Sequence, residues 1–469
     1  MKRLWSTYQG GRRTPGGSLI SGTRQRGYSN ALYGVLDYLA FPLGMLLSAP
    51  FLLRHLGAAQ YGVWLLAGAA VSSGGIVSGS FGDAAIKYVG ECRGRQDWQG
   101  VTLIVRNMIS INLALSFALG CALWFLAPYV ATHTVRADVG LRTACVTSLR
   151  IGCGLLVVKS IESVFVSTLR AFETYGSPVK IAIASRFAIL TSAIVLTRWG
   201  GNVVWIMAAT FLLSVLGMLA QGFALRLKIG RFSLLPSWDR GTLSSIAIFG
   251  TFSWLQAVSS VAFSQADRFV VALFMGAPAV AYYGLCTQAA QPIHGLVSSA
   301  MHFLFPHLSV RYGVAPIAEI RRKVGLAIRV NFALVGALSL PLVLFGNYFL
   351  RMWIGGAFDQ QARYLFPTIA CSFALLGLNI TAHYALLAAG KVRVVTYLNL
   401  LAGLVMLLLM AALIPTHGLQ GAALARLSYG PITCLAYLSL YRTIWRSNGQ
   451  SPLQQTAMYE VAEAYSRSK

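Results

Sequence analysis

Twelve apolar stretches, each long enough to cross a bilayer as a helix of about 20 residues, dominate the sequence, at roughly 33–53, 61–82, 103–127, 143–168, 179–198, 203–225, 243–266, 280–305, 326–350, 364–388, 394–414 and 420–441. The links between them are short. Backbone groups left unpaired in hydrocarbon are costly, and no ten-residue alternating strands of a barrel are present, so the spans are expected to be α-helices. Charged residues make up 11% of the 469 positions, against roughly 25% in an ordinary soluble domain. An all-α integral membrane protein follows.

The formal net charge is +25. Such a balance could indicate nucleic acid, but the Lys and Arg recur in small clusters between apolar runs, not on one soluble domain. Orientation in a membrane explains them better. Most of them fall on alternate links, while the opposite links carry only Arg54, Arg136, Arg142, Arg198, Arg351 and Arg363. The positive-inside rule then puts both termini in the cytoplasm. The Arg12-Arg13 pair lacks the apolar region and cleavage site of a twin-arginine signal, and no cleavable signal is expected. The seven cysteines are scattered without C-x-x-C spacing, the histidines form no H-x-x-x-H pair, and neither a metal nor another cofactor is expected.

The chain also resembles itself. Leu56-Gly57-Ala58-Ala59-Gln60-Tyr61-Gly62-Val63 follows the first span, and Met275-Gly276-Ala277-Pro278-Ala279-Val280-Ala281-Tyr282-Tyr283-Gly284-Leu285 follows the seventh. A basic arm (1–30), a six-helix lobe (31–228), a linker (229–242), a second six-helix lobe (243–446) and a tail (447–469) result. An even number of helices per lobe makes the repeat a parallel one. The fourth span carries Arg150, Lys159 and Glu162 within its apolar run. Each charge costs a few kcal/mol in lipid, so these residues are expected at a watery cavity or a polar ligand.

Three segments carry a family resemblance: Arg54-His55-Leu56-Gly57-Ala58-Ala59-Gln60-Tyr61-Gly62-Val63-Trp64, Phe81-Gly82-Asp83-Ala84-Ala85-Ile86-Lys87-Tyr88-Val89, and Leu169-Arg170-Ala171-Phe172-Glu173. With Asp267-Arg268 and the late Gly418-Leu419-Gln420-Gly421 turn, the chain resembles the bacterial O-antigen and exopolysaccharide flippases of the multidrug/oligosaccharidyl-lipid/polysaccharide exporter superfamily. One departure is Ser80 two residues before Gly82, where many relatives have an acid; here the acid is Asp83. The resemblance implies a non-enzymatic flippase in the bacterial inner membrane, serving surface polysaccharide biosynthesis. Its cargo would be an undecaprenyl-pyrophosphate-linked oligosaccharide, carried from the cytoplasmic to the periplasmic leaflet by two rocking lobes. Its other partners would be membrane lipids, and could extend to a polysaccharide polymerase and export machinery. Nucleic acid is not among them.

For such a cargo the candidate substrate contacts are Arg150, Lys159, Arg186, Arg268 and Arg426, because guanidinium and ammonium groups suit phosphate. Arg150 leads, having no partner in its own span, whereas Lys159 can pair with Glu162 three residues on. Arg186 and Arg426 can also be read as snorkelling cations. Asp37, Glu162 and Asp267 are the candidates for ion coupling or gating, with an interlobe salt bridge the equal alternative for the two aspartates. Gln288, Gln291, His294, Asn379 and His383 could contact sugar hydroxyls or bond helix to helix. Two rival functions remain. A multidrug antiporter would want net acid in its cavity, and a polymerase or glycosyltransferase would want a large outer loop; the sequence offers neither.

Overall fold

A computed structural model describes residues 19–79, 81–136, 138–172, 174, 176–229, 235–239, 241, 254–255, 257–312, 316–354 and 364–446, with side chains from residue 44 onward except at 78, 79, 83–85, 87, 262, 306 and 310. The chain winds through α1 (Leu19–Gly79), α2 (Gly82–Gly94), α3 (Trp98–Thr134), α4 (Val139–Ala171), α5 (Gly176–Arg198) and α6 (Val203–Ile229). A π-turn at Ala262–Ala266 then leads into α7 (Asp267–Met275), followed by α8 (Ala277–Met301), α9 (Leu304–Tyr312) and α10 (Ile317–Ile354). The last elements are α11 (Leu365–Leu378), α12 (Ile380–Ala388), α13 (Val392–Leu427), α14 (Tyr429–Cys434) and α15 (Ala436–Ile444). Among the described residues there is no strand, and eight helices are long and apolar enough to cross a membrane.

Local chemistry explains where the helices begin and bend. Asp97 and Asp138 cap α3 and α4, accepting the amide hydrogens of Gly100 at 2.8 Å and Leu141 at 3.0 Å. α1 holds two spans, separated by Gly57 at φ 75°, ψ 161°, and Gly276 between α7 and α8 has φ 83°, ψ 177°. These are the two glycines that the internal repeat aligns, and both occupy a conformation open essentially only to glycine. α13 likewise joins two spans across Gly418 at φ 57°.

The two halves meet at the end of the bundle that carries these glycine links. Gly62 packs so closely that a Cβ there would lie 1.8 Å from the Ala277 carbonyl oxygen. Arg136 donates through Nη2 to the carbonyls of Leu273 at 3.4 Å and Phe274 at 3.3 Å. The core runs through this seam, with Leu52, Tyr61, Leu66, Val280, Tyr283 and Phe366 buried in one cluster. The linker between the halves is tied to the first half at the other end. Arg106 donates to the Leu235 carbonyl at 2.8 Å, Ser110 to that of Ser237 at 2.7 Å, and the Asp239 amide donates to Asn107 Oδ1 at 2.9 Å.

Gly62→Val should therefore wedge the seam apart. Spin labels at Arg136 and Phe274 are expected to report a longer distance in that variant than in the parent, and an unchanged distance would show that the seam does not depend on the close approach.

Candidate functional site

Three breaks in helical regularity converge in the second half. The π-turn at Ala262–Ala266 shifts the register just before Asp267. The tenth span breaks at Asn379 between α11 and α12, and the carbonyls released there are taken up from neighbouring helices. Asn331 donates to the Leu378 carbonyl at 2.9 Å and the Tyr437 hydroxyl donates to the same oxygen at 2.6 Å. The third break follows Arg426, where α13 gives way to α14. Irregular backbone at membrane depth is tolerated where it is buried in protein or lines a cavity.

A cavity of about 460 Å³ lies between these breaks. Arg268, Arg426, His294, His383, Gln291 and Asn379 supply its polar wall, and Phe263, Phe373, Tyr384 and Tyr429 its aromatic one. Ile76 of α1 faces it from the first half.

The cavity rests on a buried ion pair. Arg426, 1% exposed, bonds through Nη1 to Oδ2 of Asp267, also 1% exposed. The Tyr283 hydroxyl donates to the same carboxylate oxygen at 2.8 Å, and Asp267 Oδ1 accepts the Arg268 amide hydrogen at 2.8 Å. The Arg426 guanidinium lies against two aromatic rings that meet edge to face, 3.9 Å from the centroid of Phe263 and 4.6 Å from that of Phe373. Cation–π contact offsets part of the cost of burying it. Neither Arg426 Nε nor Arg268 Nε has a hydrogen-bond partner, and both residues line the cavity. A buried N–H left unsatisfied costs about 1–3 kcal/mol, more on a charged group. The two arginines at the cavity wall give it a cationic lining that suits an anion.

The structure redistributes the candidates drawn from sequence. Arg268 and Arg426 come together at the cavity, and Arg426 is enclosed, not snorkelling. Asp267 pairs within the second half, so its salt bridge is not an interlobe one. Arg150 does not line this cavity: it is exposed on α4, its guanidinium 4.5 Å from the Trp124 ring centroid on α3. Lys159 donates to Glu162 Oε2 at 2.8 Å within α4, away from the cavity. Arg186 is half-buried on α5 and also lies outside the lining. The side chains of Asp37 and Asp83 lie outside the described residues. His294, Asn379 and His383 line the cavity with Gln291, whereas Gln288 is buried beside it. Sequence reasoning missed Tyr283, Phe263, Phe373, Tyr384 and Tyr429. No signal separates such rings from core packing until the charged residues they surround are located.

No known family model matches the chain. One curated relative, the "Putative O-antigen transporter" of Shigella flexneri, is 22% identical over 185 residues, 39% of this chain and 43% of the relative. The chain thus matches less than half the length of that relative. Solved structures align far more completely. An inward-facing multidrug resistance MATE family transporter of the MOP superfamily superposes with a TM-score of 0.70 at 15% identity, covering 88% of this chain and 98% of that one. The lipid II flippase MurJ in an inward closed conformation gives 0.68 at 14% identity, covering 88% and 87%. The chain shares the fold of these two transporters. In that fold twelve helices form two lobes, and the two halves described above are those lobes. The proteins of this fold found similar to the chain are transporters and a flippase, not enzymes. An outward-facing MATE transporter superposes less well, with a TM-score of 0.57 at 16% identity over 87% of this chain and 94% of that one.

Removing one partner of the Asp267–Arg426 pair should be far worse than removing both charges. Arg426→Gln leaves a buried carboxylate unpaired, at about 3–5 kcal/mol for a change of this kind. Thermal unfolding in detergent is expected to show a large drop for that variant and partial recovery in Asp267→Asn/Arg426→Gln. Equal stability of the single and double variants would contradict the pairing.

Proposed function

We propose that the chain is a flippase that carries undecaprenyl-pyrophosphate-linked oligosaccharide repeat units from the cytoplasmic to the periplasmic leaflet by alternating access, for surface polysaccharide biosynthesis in the bacterial inner membrane. The observation that carries this reading is the sign of the cavity's charge. Its two arginines, Arg268 and Arg426, both line it, and the carboxylate Asp267 is already bonded. A pyrophosphate is the headgroup these donors fit, while the polar and aromatic walls suit a sugar attached to it. The polyprenyl tail stays in lipid.

The physical task is to carry a doubly charged headgroup across a low-dielectric slab. Seating it on fixed donors replaces hydration that the bilayer cannot supply. In this reading the lobes, joined at the end that carries the glycine links, hold the cavity closed on the periplasmic side, and Asp267 acts in gating by holding Arg426 in place. The cationic lining disfavours a cationic drug as cargo, although the fold is shared with MATE transporters.

Arg268 is the cleaner probe, since Arg426 also supports the fold. A hydrogen bond to a charged group is worth about 1.5–3 kcal/mol, so Arg268→Gln should slow flipping of the lipid-linked oligosaccharide in proteoliposomes by at least about tenfold, with unfolding temperature preserved. Unimpaired flipping would remove Arg268 from the site. Arg150→Ala, measured in parallel, is expected to transport at close to the parent rate; a comparable loss there would move the headgroup contact to α4.

A further inference from the structure

The charges at the cavity do not balance the cargo proposed above. A pyrophosphate esterified at both ends, to a polyprenol and to a sugar, carries two negative charges. Against it stand Arg268 and Arg426, but Asp267 already neutralises one of the two. The cluster supplies a net single positive charge. Seating the headgroup there would leave one negative charge uncompensated in a low-dielectric site, where even at moderate effective dielectric a unit charge interacts over 4 Å with about 4 kcal/mol. The missing charge must come from a group that can acquire it.

Two such groups face the cavity. His294 on α8 and His383 on α12 both line it. Each ring is half-buried at the cavity wall. Among the described residues, no other histidine, lysine or carboxylate lines the cavity; His302, at the end of α8, packs edge-on against Tyr384, 5.7 Å between ring centroids. α7 presents Arg268, α13 presents Arg426 and Asn399, α11 presents Phe373 and Leu376, α14 presents Tyr429, and α1 presents Ile76. α12 adds Tyr384, whose hydroxyl shares a hydrogen bond with Ser298 at 3.0 Å. Asp267, the one carboxylate in contact with the cluster among the described residues, sits behind Arg426 and is already occupied.

We propose that His294 and His383 complete the headgroup site, so that a doubly negative pyrophosphate diester seated on Arg268 and Arg426 binds together with about one proton held by this histidine pair. This inference rests on the flippase reading. The histidines then act as specificity residues that distinguish a diphosphate diester from a singly charged phosphate diester, which the arginines alone would neutralise.

The test uses the purified full chain and a water-soluble short-prenyl pyrophosphoryl-N-acetylglucosamine, whose own charge is constant from about pH 6 to pH 8. Calorimetric titrations in buffers of different ionisation enthalpy count the protons taken up on binding. Expected are uptake of about one proton and affinity rising as pH falls, by up to about tenfold per unit. In His294→Gln/His383→Gln the uptake and the pH slope should vanish, with weakened binding retained. The matching phosphate diester should bind the parent without proton uptake. Binding of the pyrophosphate probe without uptake, or uptake unchanged in the double variant, overturns the histidine assignment while leaving the arginine site standing. Absence of binding to the folded parent at every pH overturns the arginine site itself.

Discussion

The ion pair between Asp267 and Arg426 holds the second lobe's interior in register. It joins α7 to α13 at a depth where neither charge could survive alone, and it recruits the Tyr283 hydroxyl from α8. A buried pair is seldom a net source of stability relative to apolar residues of the same volume. Its value here is positional. By bonding to Nη1, the carboxylate fixes the Arg426 guanidinium against Phe263 and Phe373 at the cavity wall.

Around that point, the helices are irregular where the cavity needs room and regular elsewhere. The π-turn displaces Phe263 and Ser264 to the cavity wall, and the break at Asn379 opens the opposite side. The cost of the break is limited because Asn331 and Tyr437 both donate to the Leu378 carbonyl. The same logic applies at the seam between the lobes. Gly62 admits the backbone of Ala277, and Gly276 adopts a conformation closed to residues with a Cβ, so one end of the bundle packs tightly.

Much of the fold was legible in the sequence, because hydrocarbon imposes simple rules on length and polarity. The spans read from apolar runs fall on helices wherever they are described, most of the seventh (243–266) lying outside the described residues, and the Gly-Ala repeat at Gly57 and Gly276 marks two links with the same backbone geometry. The site was only partly legible. A charge inside an apolar run signals a polar environment but not which one. Arg150 met Trp124 on a neighbouring helix and Lys159 met Glu162 on its own. Asp267 and Arg426, 159 residues apart, could be joined only by the three-dimensional packing. The histidines followed the same course: their helical spacing placed them on span faces, and only the break at Asn379 and the turn before Asp267 showed that those faces share a cavity.

The central claim is that an anionic headgroup sits on Arg268 and Arg426. An experimental density map of the chain bound to an undecaprenyl-pyrophosphate-linked sugar in a lipid disc tests it most directly. Phosphate density is expected within hydrogen-bond distance of the two guanidinium groups, with the sugar against His294, Asn379 and His383. Phosphate density beside Arg150, or a bound headgroup elsewhere with this cavity holding only water, would contradict it.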